Sequence, residues 1–312
     1  MDTRNVLDAS LQKKADEIRK KTVEFAVNKG GEHIAPSLSC VDILTVLYYK
    51  IMNISFRHCE EHGDEAIQKS FIPTSLRSSG QALPLAGAPR NDKDAWENRD
   101  RFILSKGHGC YSLYVILNDL GIIPNSEIEN FHNGGSLKGC VEINHDYGLE
   151  TSCGSLGHGL PVAVGIAFGA KLQNKDYQVY CLVGDGEMQE GSMWEAIQFA
   201  AKHELSNLTL IIDNNGLQAM DFLDNILVDK NDDTHFERKL SAFGFETVSC
   251  NGHNTDKIES AIKTLKNSTK NSPKVVIAKT IKGYGLLCME NIPKFHFRMP
   301  TEEEFNMGNR YE

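Results

Sequence analysis

Short apolar strands alternate with helical segments along most of this chain. The most apolar strands are the runs QVYCLVG (178–184), LTLIID (208–213) and KVVIAKT (274–280), and helical patterns separate them. A strand that is apolar on both faces needs a helical layer on each side, and strands joined through helices lie parallel. The alternation therefore predicts an α/β fold, with a parallel sheet covered by helices on both faces.

The same patterns predict where the other elements lie. Two shorter strands are expected at 101–105 and 246–249, and helices are expected at 6–28, from a cap at Ser39 to Tyr49, and at 111–118, 157–172, 191–202, 236–243 and 255–265. Residues 56–92 are polar and contain several Pro and Gly residues, which indicates a loop insertion.

Composition and charge argue against several classes of protein. The chain has 42 Asp and Glu against 33 Lys and Arg, a net charge of −9, whereas a nucleic-acid-binding protein needs a basic face. Apolar runs fall short of the roughly 20 residues of a membrane span, and the amino terminus lacks the apolar core of a signal peptide. The eight cysteines are scattered without a CxxC pair, which favours reduced thiols over a zinc or redox site. We expect a cytoplasmic protein without nucleic-acid or membrane partners.

Two of the predicted strands end in turns suited to a metal and a phosphate. One is followed by GDG (184–186) and the next by NNG (214–216). Ligands in parallel sheets bind beyond the carboxyl ends of the strands. Asp185, Asn215 and the carbonyl of Leu217 could offer hard oxygens there, and Mg²⁺ combines such ligands with phosphate oxygens. Backbone N–H groups at the start of the following helix would help to hold the phosphates.

The stretch from GDGEMQEG to LIIDNNG resembles the thiamine diphosphate motif of transketolases, which begins with GDG and ends with NN. The resemblance continues, in the family's order, through GGEHIAPSLSCVDILTVLYY (30–49), DRFILSKGHG (100–109), GLETSCGSLGHGLPVAVGIA (148–167) and KTIKGYGLLCMENIPKFH (279–296). It is limited to the pyrophosphate-binding part of that family. It implies the thiamine diphosphate-binding fold and a single domain over 1–312, with the pyrimidine-binding domain on a separate chain.

The resemblance also implies roles for individual residues. The implied Mg²⁺ ligands are Asp185, Asn215 and the main chain of Leu217. The implied cofactor contacts are His108, Gly154, Ser155, Leu156, Gly186, Glu190, Asn215 and His296. Within that set, Ser155 replaces the family's proline, and Glu190 matches a glutamate at the subunit interface. The implied catalytic histidines are His33, His108 and His296, with His145 as a fourth candidate.

One position departs from the family pattern. Counting back from Gly148, the family's His-Pro-Glu or His-Pro-Asp motif falls on Cys140-Val141-Glu142. A thiol is a poor substitute for an imidazole that donates a hydrogen bond to a sugar oxygen. His145 is the candidate for that role after a rearrangement of the loop. Together with the insertion at 56–92, the change indicates a specialised sugar substrate.

The activity implied by the resemblance is transfer of a two-carbon ketol unit from a ketose to an aldose, with thiamine diphosphate and Mg²⁺. Imidazoles suit the proton transfers of such a reaction near neutral pH. The chain would be the N-terminal subunit of a two-chain enzyme, a homodimer or a heterotetramer. A C-terminal subunit would then supply the glutamate that activates the cofactor.

Two alternatives remain at the level of sequence. The alpha subunit of a 2-oxo acid decarboxylase or dehydrogenase also carries GDG and NN, but it should lack the KGH segment. The second alternative is a non-catalytic remnant that binds a partner, and the loss of the histidine at Cys140 supports it. Lys282 is expected to be solvated in a glycine turn, although it could face an anion. Structural or surface roles are expected for His58, His62, His132, His203, His235 and His253, and a helix-end or catalytic role for His158.

Overall fold

A computed structural model describes residues 3–54, 96–219, 221–227, 229 and 232–306, with side chains from residue 11 onward. The insertion predicted at 56–92 lies outside the described residues. In the part of the chain that is described, every helix is too short or too polar to cross a membrane.

The described strands form one parallel sheet of five. They are β1 (Arg101–Leu104), β2 (Val179–Gly184), β3 (Leu208–Asn214), β4 (Glu246–Asn251) and β5 (Lys274–Lys279), in the order β1-β2-β3-β5-β4. Asp213 is level with Gly184 on one side and with Ala278 on the other, so β2, β3 and β5 end at the same edge. The parallel sheet predicted from the sequence is confirmed.

Helices connect and cover these strands. The described helices are α1 (Thr3–Lys29), α2 (Ile34–Leu38), α3 (Val41–Val46), α4 (Cys110–Asp119), α5 (Asn125–Glu129), α6 (Gly159–Leu172), α7 (Gly191–Lys202), α8 (His235–Ala242), α9 (Thr255–Lys266) and α10 (Glu302–Asn306). Helix α3 continues as a π-helical turn over Leu47–Ile51, and 3₁₀ turns lie at Gly107–Gly109, His145–Tyr147, Gly186–Gln189, Leu223–Asn225 and Pro293–His296.

The sheet separates two apolar cores. Tyr180, Leu182 and Val276 face the core that α1 to α4 and α9 cover, whereas Val183 and Ile277 face the core under α6, α7 and α8. Each fully buried aliphatic side chain of this kind contributes roughly 1.5–3 kcal/mol relative to an exposed one. The prediction of helices on both faces is therefore confirmed.

Ser39 is not the helix cap that the sequence suggested. It follows the end of α2, and its hydroxyl donates to the Asp213 carboxylate (2.6 Å) and lies 3.0 Å from the Pro36 carbonyl. A carboxylate that is buried at the end of a strand needs nearby donors. This requirement draws the serine inward, and two short helices replace the single predicted one.

Candidate active site

Hydrogen bonds to the carboxylate of Asp185 link the turn after β2 to the turn after β3. One carboxylate oxygen accepts the N–H of Gly186 (2.8 Å), and the other accepts the N–H of Gly216 (2.5 Å). Gly216 has a φ of +73°, a conformation that suits glycine. In the same turn, the side-chain oxygen of Asn215 accepts the N–H of Leu217 (3.1 Å). Asp185, Asn215 and Leu217 thus stand together at the carboxyl edge of the sheet.

This donor set fits a hard divalent cation. Asp185 is only 2% exposed, and burial, together with the nearby charge of Asp213, raises its pKa to about 7. A carboxylate in this position gains from a cation beside it. A carboxylate, an amide oxygen and a main-chain carbonyl are ligands that suit Mg²⁺. In the described ranges no group of three His, Cys, Asp or Glu residues could hold a metal ion, so this candidate site depends on the amide and main-chain oxygens beside Asp185.

The two turns also approach each other too closely for a side chain at position 186. A Cβ built there would lie 2.9 Å from the Cβ of Gln218. Only glycine therefore fits at position 186, and its backbone N–H, which donates to Asp185, lies at the start of the turn that leads to α7, where a phosphate could be held.

Three of the predicted histidines converge near this edge. The ring centre of His33 lies 5.8 Å from that of His108 and 6.1 Å from that of His296. His108 and His296 are 5.2 Å apart. His33 precedes α2, His108 lies in the turn after β1, and His296 follows β5, so three distant segments build the cluster.

Hydrogen bonds assign different tautomers to two of these rings. Nδ1 of His33 lies 3.1 Å from the carbonyl of His296, and a carbonyl only accepts, so this nitrogen carries the proton. Nδ1 of His296 lies 2.5 Å from the ammonium of Lys282, which only donates. Neutral His33 therefore presents a bare Nε2, whereas neutral His296 presents an Nε2–H.

The surroundings keep His296 and His108 neutral. Burial and the ammonium of Lys282 lower the pKa of His296 to about 3. Burial, followed by the charge of Lys106, lowers the pKa of His108 well below its ordinary value. Both imidazoles can therefore serve as hydrogen-bonding groups without adding charge near pH 7.

Lys282 is buried, contrary to the solvated position expected for it. It is 2% exposed, and burial, with the neighbouring charge of Lys106, lowers its pKa to about 8. The N–H of Gly283 donates to the carbonyl of Ala35 (3.2 Å), which docks the turn against α2. This contact folds the lysine inward toward His296.

A buried ion pair lies beneath the histidines. The ammonium of Lys106 contacts the carboxylate of Asp213 and donates to the carbonyl of Pro36 (3.0 Å). Ser39 and Thr280 also donate to Asp213. These donors and the positive charge of Lys106 hold the pKa of Asp213 below its usual range despite its burial.

Glu187 connects the segment that carries Gly154, Ser155 and Leu156 to the sheet. Its carboxylate accepts the hydroxyl of Ser105 (2.5 Å) and the backbone N–H groups of Gly157 (2.9 Å) and Gly184 (3.2 Å). The three predicted cofactor contacts lie just before this anchor, with Gly154 and Ser155 exposed and Leu156 half-buried. Glu190 is exposed at the start of α7.

Cys140 lies on a segment joined to the KGH turn. The N–H of Val141 donates to the carbonyl of Gly107 (3.2 Å), and Cys140 itself is half-buried. A Cβ at Gly107 would lie only 1.6 Å from the carbonyl oxygen of Cys153, so these two loops are in direct backbone contact. Cys140 is thus adjacent in sequence to Val141, which contacts the turn that carries His108.

His145 does not join the histidine cluster. It lies exposed in the turn between Asn144 and Leu149, and its charged neighbour is Glu150. Glu150 pairs with Arg99 and Arg101, which lie at the amino end of β1. The hairpin therefore carries His145 toward the opposite end of β1 from His108, and the expectation that it replaces the missing imidazole is corrected.

Comparisons with known proteins define the class. The profile described as "Transketolase, thiamine diphosphate binding domain" matches residues 84–307. A subunit of the apulose-4-phosphate transketolase of Actinobacillus succinogenes is 35% identical, over 99% of this chain and 98% of its own length. A subunit of the 6-deoxy-6-sulfo-D-fructose transketolase of Clostridium sp. is 31% identical, over 94% of this chain and 92% of its own length.

The solved structures agree with the sequence relatives. The crystal structure of transketolase from Campylobacter jejuni superposes with a TM-score of 0.74 at 28% identity, over 94% of this chain and 41% of that one. These matches define a thiamine diphosphate-binding α/β protein. The chain belongs to the transketolase family, as the sequence motifs indicated, and it spans about two fifths of that transketolase's length.

Proposed function

We propose that this chain is the N-terminal subunit of a two-chain transketolase and transfers a two-carbon ketol unit between sugars. The observation that carries the proposal is the position of the Asp185, Asn215 and Leu217 oxygens at the sheet edge toward which His33, His108 and His296 converge. A metal and phosphate site beside neutral imidazoles is what a diphosphate cofactor and a proton-transferring reaction require.

Different residues of the site would bind the metal and the cofactor. Asp185, Asn215 and the carbonyl of Leu217 would hold Mg²⁺. The N–H of Gly186, the backbone of 154–156, and His108 would contact thiamine diphosphate, which supplies the electron sink for the transferred unit. Lys282 joins this set because its ammonium is buried within the electrostatic reach of Asp185.

Proton handling follows from the two tautomers. The bare Nε2 of His33 is suited to accept a proton from a sugar hydroxyl, and the Nε2–H of His296 is suited to donate a hydrogen bond to a sugar oxygen. General acid–base assistance of this kind contributes roughly 10²–10⁴-fold to rate. The burial around His296 excludes competing water from one side of the site.

A partner surface adjoins this site. Phe297, which contacts the rings of His33 and His296, is 55% exposed. Leu227, on the loop that follows the NNG turn, is 68% exposed, and Phe222 and Ile226 on the same loop are also exposed. Exposed apolar groups beside a polar site are typical of an interface. In this proposal the C-terminal subunit binds here with its activating glutamate, and Glu190 contributes to a subunit interface of the resulting heterotetramer.

The substrate is a specialised ketose in this proposal. Two relatives of nearly equal length are named for apulose 4-phosphate and for 6-deoxy-6-sulfo-D-fructose, which both carry an anionic group on the sugar. The half-buried thiol of Cys140 replaces an imidazole that would bind a sugar oxygen. We therefore propose a ketose with a phosphate or sulfonate group as donor.

Reconstitution tests the proposal. This chain is mixed with a C-terminal transketolase subunit, and ketol transfer is measured with phosphorylated and sulfonated ketoses. Transfer that needs both chains, thiamine diphosphate and Mg²⁺ supports the proposal. Decarboxylation of a 2-oxo acid without ketol transfer would instead support the dehydrogenase alternative. Cofactor binding without any turnover would support the alternative that the chain is a non-catalytic, partner-binding remnant.

A further inference from the structure

His253 lies in a buried network outside the cluster of the three site histidines. Its side chain is 7% exposed, and its Nδ1 lies 2.9 Å from the carboxylate of Asp42. The same carboxylate pairs with the guanidinium of Arg19 (2.5 Å), which is fully buried. The imidazole also stacks on the ring of Tyr284, with centres 3.7 Å apart and planes 14° from parallel.

The other ring nitrogen accepts a backbone hydrogen bond. Nε2 of His253 lies 2.7 Å from the N–H of Ile281. An N–H group only donates, so Nε2 is bare and the proton of the neutral ring lies on Nδ1, where Asp42 accepts it. Arg19 and Asp42 thereby fix the tautomer that leaves Nε2 free to receive Ile281.

Ile281 lies where the chain leaves the sheet. The preceding residue, Thr280, still follows β3, because its N–H donates to the carbonyl of Asn214 (3.0 Å). The next residue is Lys282, the ammonium beside His296. The hydrogen bond to His253 therefore fixes the backbone immediately before Lys282, and this backbone determines the direction of the Lys282 side chain.

We propose that His253 is a positioning residue for the cofactor site, because it holds the Ile281 amide and thereby aims Lys282 at His296 and at the diphosphate. This inference rests on the proposed function for the identity of the ligand. The structural part of the inference, that His253 fixes the backbone of residues 280–284, depends only on the observed contacts.

Two variants separate the two hydrogen bonds of the ring. In His253→Gln, the side-chain oxygen reaches about as far as Nε2 and can still accept the Ile281 N–H. In His253→Asn, the shorter amide reaches about as far as Nδ1, so it can still donate to Asp42 but leaves Ile281 without its acceptor. Both variants lose the stack on Tyr284, which makes them matched for packing. His203→Asn, at the far end of α7, is the remote control.

Amide hydrogen exchange of the chain without cofactor gives the first readout. We expect the peptide containing residues 280–284 to exchange about tenfold faster in His253→Asn than in His253→Gln, because an unprotected amide exchanges through local opening. Equal protection in the two variants and the parent would overturn the hold on Ile281.

Cofactor affinity gives the second readout, in the chain reconstituted with its C-terminal subunit. We expect His253→Asn to weaken thiamine diphosphate binding by about tenfold and His253→Gln by less than about threefold, at similar melting temperatures. In a Lys282→Met background the Asn variant should have no further effect, since coupled residues are not additive. Equal affinity in parent, Asn and Gln variants overturns the inference, whereas a parent that binds no thiamine diphosphate overturns the proposed function instead.

Discussion

The ammonium of Lys282 and Nδ1 of His296 lie 2.5 Å apart in a buried environment. The contact fixes the tautomer of the histidine and lowers its pKa to about 3, with burial as the larger cause. A lysine thus keeps a candidate catalytic imidazole neutral and oriented.

Lys282→Met should raise the pKa of His296. The substitution removes the ammonium that opposes a second positive charge, whereas burial continues to lower the pKa. NMR titration of the His296 ring should show a pKa nearer to its ordinary value, together with weaker thiamine diphosphate binding. Lys279→Met, at an exposed lysine three residues away, should change neither quantity.

Asp185→Asn should reduce the pH dependence of stability and weaken cofactor retention. The raised pKa of about 7 means that ionised Asp185 disfavours the metal-free fold. Its stabilising contribution is therefore complete below its ordinary pKa of 3.8 and is lost as pH rises through about 7. Asparagine removes this titration but also one of the two backbone hydrogen bonds, because its NH₂ group cannot accept, so without metal we expect the melting temperature of Asp185→Asn to vary less than that of the parent between about pH 4 and 8.

The same variant should bind Mg²⁺ and thiamine diphosphate at least about 100-fold more weakly, because a charged ligand is lost. In the parent, Mg²⁺ affinity should fall as pH drops below about 7, since the proton and the metal compete for Asp185. Isothermal titration at several pH values measures both effects. Undiminished retention of the cofactor in the variant would contradict the assigned metal site.

His33→Ala should lower kcat by about 10²–10⁴-fold and leave thiamine diphosphate affinity within about threefold of the parent. The proposed role of the ring is proton transfer through Nε2, whereas its Nδ1 holds the carbonyl of His296. Steady-state kinetics of the reconstituted enzyme provide the measurement. His203→Ala is the matched control, and an equal loss in both variants would speak against a specific role.

Lys106→Met should destabilise the chain by about 3–5 kcal/mol, because it leaves Asp213 buried without its counter-charge. The double variant Lys106→Met/Asp213→Leu should recover most of that loss. Urea unfolding of the three proteins checks the prediction, with the exposed Lys175→Met as a control. If the single and double variants were equally unstable, the ion pair would not be the cause.

Cys140→His should broaden the choice of donor. A restored imidazole can donate a hydrogen bond to a sugar oxygen, so kcat/KM for a simple pentulose phosphate should rise by up to about tenfold. Cys140→Ser removes the thiol without adding an imidazole and should give no such gain. Competition between the two donor classes in one assay gives the ratio directly.

Much of the fold could be predicted from the sequence. Strands such as 208–214 are apolar on both faces, and this pattern predicts a parallel sheet that is covered on both sides, without knowledge of the exact helix boundaries. Parallel strands share one carboxyl edge, so the turns that follow them meet there. The placement of Asp185 and Asn215 at neighbouring strand ends needed only these rules.

Contacts between distant segments could not be predicted in this way. Lys282 is buried because Gly283 docks on Ala35, a contact that no local pattern encodes. Ser39 turns toward Asp213, and His145 is carried away from the cluster by a hairpin whose direction depends on Arg99 and Glu150. In each case a long-range hydrogen bond or ion pair decides where a polar side chain lies.

The bond between the His33 ring and the His296 carbonyl joins positions 263 residues apart. Closing a loop of that length costs conformational entropy that must be overcome before the contact can form. During synthesis the turns that carry Asp185 and Asn215 leave the ribosome well before His296 does. The nascent chain can therefore present its metal turns before the residue that completes the histidine cluster has been synthesised.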